Sequence, residues 1–262
     1  MTSTAQITRT TATQPVSLMR SVNSEFYKLW SAKLTKITSL LLLILGCAPV
    51  IAIVRLAKIP LDSKVIFGTW GLSSIFFLVI AVAAVSAEYS HNTMRTTVLS
   101  DPRRPRAFFA KFLANVVYSF LLAVVLVGLL IACTFLSKTP ISYSAQDFGP
   151  ISAFVGLFVG VAIMGLGFGY LLRSTAGGIT AGVILLQFLG LLVLIPVDFF
   201  QKTLVYYLPA NLAQYATNGS IAVPGVTEAS VPYNQAGALG IFVLYSLVIL
   251  VLGMVRFLKS DV

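Results

Sequence analysis

Charge is the scarcest commodity in this 262-residue sequence: only 10% of positions are Asp, Glu, Lys or Arg. A soluble domain carries about 25%. So few charges cannot keep in water a chain that is 58% hydrophobic, with a mean hydropathy of +0.94. Histidine occurs once, at His91, and cysteine twice, at Cys47 and Cys133. A single histidine excludes a His-based zinc centre and a Ser-His triad with a spare base. Two cysteines inside apolar runs make no disulfide framework. There is no G-x-x-x-x-G-K-[ST] loop, nor even a Gly-Lys pair, with which to cradle a nucleotide. A Gly-x-Ser-x-Gly elbow is also missing. These absences leave no catalytic residue and no metal ligand to assign.

What is present is apolar sequence in long runs. A spanning helix takes about 20 residues, and six runs qualify: 37–54, 65–87, 107–137, 148–172, 174–197 and 236–255. The chain therefore reads as an all-α integral membrane protein, with a disordered tail over 1–16 and one six-span domain over 17–262. From Ser17 onward, Leu18, Val22, Phe26, Leu29, Leu34 and Ile37 recur at helical spacing, with Arg20, Lys28, Lys33 and Lys36 between them. Trp30 adds an interface-seeking ring, so this stretch predicts an amphipathic helix lying on the bilayer surface. The uncharged stretch 203–227 holds Pro209, Asn211, Gln214, Asn218, Gly219 and Pro224, poor occupants of hydrocarbon. It predicts a short extracellular helix over 210–217, opened by Pro209, in place of a seventh span.

The basic residues flank the runs, which explains the net charge of +10 without nucleic acid. Thirteen of the 18 lie on the side of the N-terminal segment, the 88–111 connection, Arg173 and the C-terminal tail; five lie opposite. By the positive-inside rule both termini are cytoplasmic. Past Lys111 at the head of the third run, the spans carry no Asp, Glu, Lys, Arg or His for proton relay or ion coupling, so energy for uphill movement would come from another subunit.

The connection Glu88–Lys111 reads EYSHNTMRTTVLSDPRRPRAFFAK. Glu88–Leu99 forms a short helix on paper; Asp101 then serves as N-cap and Pro102 as first helical residue. Met94 and Val98 present one apolar stripe beside Thr97. The residues alone leave two readings open: a helix that receives force from a partner, or a solvated loop whose arginines set topology. In the spans, Gly156/Gly160 and Gly165/Gly169 form small-x-x-x-small pairs suited to close helix packing. Asn115 and Gln187 suit hydrogen bonds to neighbouring helices, and with Phe76, Phe77 and Phe188 they are also the candidate lining of a pathway.

Two motifs carry a family resemblance. Ser24-Glu25-Phe26, Lys28 and Leu29 precede the first span. Glu88-Tyr89, Thr93, Arg95-Thr96-Thr97, Pro102-Arg103 and Lys111 follow the second. In this order they resemble the permease subunits of type-2 ABC exporters. The resemblance implies a half-transporter of the bacterial plasma membrane, working with a second copy or a related permease and two copies of an ABC ATP-binding subunit. ATP and magnesium would bind that partner, and no cofactor this chain. Glu88, His91, Met94, Arg95, Thr97 and Val98 would dock on the ATPase; Asp101, Pro102, Arg103, Arg104 and Arg106 would brace that helix at the membrane. Glu25, Phe26, Lys28 and Trp30 would seat the interface helix. Drugs, antimicrobial peptides and lipids are the implied substrates. The short first span and the outer Arg55, Lys58 and Lys64 depart from the family pattern. A membrane immunity or assembly factor, and an ATP-independent carrier, are the alternatives.

The charge count generates a topology test. With Cys47 and Cys133 replaced, cysteines at positions 13 and 260 should be shielded from an impermeant thiol reagent in intact cells. One at position 218 should react. Labelling at all three positions would refute six spans.

Overall fold

The computed structural model describes residues 17–57, 59–90, 104–137, 140–223 and 231–259, without the side chain of Arg104. Helix α1, Leu18–Ser31, opens on Ser17, whose hydroxyl accepts from the Arg20 amide at 3.3 Å. Extended Ala32 ends it, and α2, Lys33–Leu56, continues without interruption through Pro49. The helix thus starts four residues before the first uncharged run. Its polar first turns are accommodated because Thr35, Thr38 and Ser39 are buried within the protein. At 24 residues and 1.5 Å per residue it is about 36 Å long, so the first span is not short.

Asp62 caps a 3₁₀ turn, Ser63–Thr69, by accepting from the Lys64 amide at 2.7 Å, and the turn leads directly into α3, Trp70–Ser90. Helix α4 covers Arg104–Thr134. A capping box between Ser144 and Asp147 then introduces α5, Phe148–Leu172. Arg173 stops α5 in the left-handed region at φ 53°. The remaining helices are α6, Thr175–Val183, α7, Pro209–Asn218, and α8, Gln235–Lys259. Six helical segments are long and apolar enough to cross a membrane, and no strand occurs among the described residues.

The fifth span departs from a regular helix. After nine α-helical residues it loosens into a π turn, Ile184–Phe188, and then tightens into a 3₁₀ stretch, Leu189–Leu194. Ile195 is extended, as a residue preceding proline prefers, and Pro196 follows it. In the polar stretch beyond, Pro209 opens α7 and Gly219 closes it at φ 72°. This ten-residue helix buries Leu212, Ala213 and Ala216 against α5 and α8.

Helix α5 is the hub, packed against α3, α4, α6, α7 and α8. Its glycines make that possible by letting backbones touch. A Cβ on Gly165 would lie 3.0 Å from the Leu78 carbonyl oxygen, and one on Gly169 3.1 Å from that of Val82, both on α3. On the opposite face, a Cβ on Gly167 would come within 2.7 Å of the Ile249 carbonyl carbon, and one on Gly253 within 2.6 Å of the Gly167 oxygen. Aromatic rings fill the wider gaps: Phe77 stacks on Phe158 at 4.7 Å, and Tyr170 meets Phe108 at 5.0 Å and Phe257 at 5.1 Å.

Gly167→Ala or Gly253→Ala should force α5 and α8 apart and destabilise the fold by about 1–3 kcal/mol, the usual cost of overpacking. Gly128→Ala, with open space around the new methyl, should be neutral or slightly stabilising. Thermal unfolding of the three variants in one detergent checks the contrast.

Candidate functional site

Helix α1 carries three charged side chains, Arg20, Glu25 and Lys28, and Glu25 is the one turned inward, only 6% exposed. It meets the C-terminal end of α3 and the third turn of α4. Lys111 of α4 is the keystone. Its ammonium lies 2.5 Å from Glu25 Oε2, 2.7 Å from Glu88 Oε1 and 3.3 Å from the Ala84 carbonyl oxygen. All three of its donors are therefore engaged, and the side chain is 5% exposed. Lys28, one turn beyond Glu25, donates to Glu25 Oε1 at 2.5 Å and stands 3.6 Å from Glu88 Oε1. Among the described residues, two carboxylates and two ammonium groups thus sit together, their charges balanced.

Burial alone would raise the Glu25 pKa. The Lys111 charge and the hydrogen bonds from Lys111 and Lys28 outweigh it, so the carboxyl titrates below its ordinary value. Burial acts on Lys28 in the opposite sense and lowers its pKa. The Glu25 hydrogen bond and the Glu25 and Glu88 charges overcome this and hold the ammonium above its ordinary value. Each partner keeps the other ionised. An open cavity of about 380 Å³ adjoins the cluster, bounded by Glu25, Lys28, Ala83, Ala87, Glu88 and Lys111.

Further contacts hold the same end of the bundle. Arg173 stacks over the Tyr89 ring at 5.2 Å, and Arg256 donates to the Leu171 carbonyl oxygen. Tyr118 of α4 hydrogen-bonds Ser39 of α2 at 2.9 Å, while Phe26 and Trp30 of α1 meet its ring edge-on. Among the described residues no three His, Cys, Asp or Glu side chains converge as a metal site would require. The arrangement is an electrostatic clasp between α1 and the spans α3 and α4.

The sequence-predicted residues divide accordingly. Glu25, Lys28 and Glu88 come together, and Glu88, expected to face a partner, is engaged by Lys111 within the chain. Phe26 is half-buried, whereas Trp30 is 60% exposed. His91, Met94, Arg95, Thr97, Val98, Asp101, Pro102 and Arg103 lie outside the described residues. Arg104 opens α4, and Arg106 is half-buried two residues on. Of the pathway candidates, Phe77 is core, Phe76 partly buried and Phe188 exposed. Asn115 donates to the Ala162 carbonyl at 3.2 Å, and Gln187 to the Gly71 carbonyl at 2.9 Å and the Ser74 hydroxyl at 3.0 Å. Sequence reasoning gave Lys111 no role. The available signal was that Glu25 and Glu88 are rare acids on the strongly basic side, each beside an apolar run, with one lysine at the head of α4.

Residues 11–262 match the family model described as ABC-2 family transporter protein. Comparison with curated proteins gives no match.

Removing one member of a buried ion cluster strands its partners, typically at about 3–5 kcal/mol. Lys111→Met should therefore destabilise strongly and release α1, read as faster hydrogen exchange over Leu18–Ser31. Adding Glu25→Gln and Glu88→Gln should restore most of the lost melting temperature. No recovery would show that Lys111 acts by packing alone.

Proposed function

The chain belongs to the ABC-2 family of transporter proteins, and from that premise we propose that it is the permease subunit of an ABC exporter, forming half of a translocation pathway. A second copy or a related permease supplies the other half. Two copies of a separate ABC subunit bind ATP and magnesium and provide the energy. Both termini and the segment 91–103 face the cytoplasm, in keeping with the thirteen-to-five bias of basic residues. Drugs, antimicrobial peptides and lipids are the substrate classes to test.

The observation that carries this reading is the position of the clasp. The segment 91–103 leaves α3 just after Glu88 and enters α4 just before Lys111, and these two side chains pair at 2.7 Å. Lys111 also holds Glu25 of α1. A push on that segment is therefore delivered to two spans and the surface helix at once. In this mechanism Met94, Thr97 and Val98 dock on the ATPase, His91 and Arg95 flank them, and the clasp passes the displacement on.

Docking and transmission should be separable. In the reconstituted complex, Met94→Asp should weaken ATPase recruitment about 30-fold, as loss of a ~2 kcal/mol interface anchor does. Glu88→Gln should leave recruitment near wild type and lower export per ATP hydrolysed. Wild-type export by both variants would refute the coupling role. Stoichiometric ATP binding by the isolated chain would refute the permease reading.

A further inference from the structure

A second concavity lies between α1, α2 and α4, away from the ion cluster, and has a volume of about 480 Å³. That is within the roughly 300–1,000 Å³ of ligand sites. Its walls include Phe26, Trp30, Leu40, Leu43, Leu122 and Val125. The Ser39–Tyr118 hydrogen bond satisfies both hydroxyls there, leaving an apolar trough. Lys36 forms one end. From Lys36 to Leu43 the trough follows α2 for about 10 Å at 1.5 Å per residue.

The surroundings specify the occupant. Leu40 is 59% exposed, Leu121 50% and Val125 51%, and all three lie on apolar helices long enough to span a membrane, so the trough opens sideways onto acyl chains. At its charged end Lys36 is exposed, as is Lys33 three residues earlier on α2, and neither has an ion-pair partner among the described residues. The nearest acid on α1, Glu25, is already claimed by Lys28 and Lys111. Trp30 stands beside this end, where an amphipathic ring favours the headgroup level. One apolar trough, one aromatic wall and two unpaired cations match a single amphiphile with a negative head.

We infer that this groove binds an anionic phospholipid, one acyl chain lying along α2 and α4 and the headgroup phosphate held by Lys36 and Lys33. The site depends on the spans being in a membrane and not on the exporter reading. Basic pockets between spanning helices are suited to such headgroups. The bound lipid would also fix the distance between α1 and α2 across the Ala32 break.

Trp30 makes the site observable. The full chain carrying Trp70→Phe is placed in phosphatidylcholine nanodiscs with a minor fraction of phosphatidylglycerol, and bromine is put on the acyl chains of one lipid or the other. Quenching of Trp30 should half-saturate at a several-fold lower fraction of brominated phosphatidylglycerol than of brominated phosphatidylcholine. Lys36→Gln should reduce that preference about fivefold, and Lys33→Gln should act similarly. Leu122→Phe, which fills the trough, should reduce quenching by both lipids. Should Trp70→Phe fail to fold, the difference between the native chain and Trp30→Phe gives the same signal. Equal quenching by the two lipids overturns the proposal, as does a preference that survives removal of both lysines. Quenching by neither lipid would mean that a second copy covers the groove. Competition by millimolar inorganic phosphate would mean a free-anion site; both results also overturn it.

Discussion

Charges taken out of water must neutralise one another, and in this protein that requirement assembles the end of the bundle at which α3 stops and α4 starts. Lys111 is too buried to be tolerated alone, so α4 cannot settle until Glu88 of α3 and Glu25 of α1 have reached it. Each partner comes from a different helix, and none is near another in the chain: 86 positions separate Lys111 from Glu25 and 23 separate it from Glu88. The clasp therefore reports that three helices have found their places. Lys28 adds little by itself, because half of its side chain remains in solvent.

The rest of the bundle is set by close approach. With glycine on both faces, α5 lets α3 and α8 come to backbone contact, where dispersion and weak polar contacts do what the hydrophobic effect cannot do inside a bilayer. This rigid centre contrasts with the fifth span, which changes helical pitch twice within twenty residues. Gln187 sits in the π turn and ties it to α3 through the Gly71 carbonyl and the Ser74 hydroxyl. This irregular span is thus tethered to α3 at two polar points, the second being the Ser86–Thr175 hydroxyl pair at 2.7 Å.

How far the fold was legible follows from the range of each signal. Apolar runs and 3.6-residue periodicity are local, so the spans could be read directly, and Pro209 and Gly219 bracketed α7 for the same reason; the helix read from Ser17 to Ile37 instead breaks at Ala32, with Leu34 and Ile37 in α2. The start of α2 was misjudged because Lys33 and Lys36 ended the uncharged run, although nothing in them stops a helix. The fifth span looked regular because leucine, isoleucine and valine conceal a change of pitch; only Gly190 and Pro196 hinted at it. At the site, motif spacing identified Glu25, Lys28 and Glu88, yet no local pattern could say that they share Lys111. The Ser39–Tyr118 hydrogen bond, which joins α2 to α4, was invisible for the same reason.

The clasp divides evenly. Helix α1 brings one carboxylate and one ammonium, Glu25 and Lys28; the two spans bring one of each, Glu88 and Lys111. Among the described residues, each half is then a neutral pair if α1 lifts away. A unit charge crossing the full membrane potential is worth about 2.3 kcal/mol per 100 mV, but parting these four groups moves no net charge. Mechanical force can make and break their contact without drawing on the voltage across the bilayer.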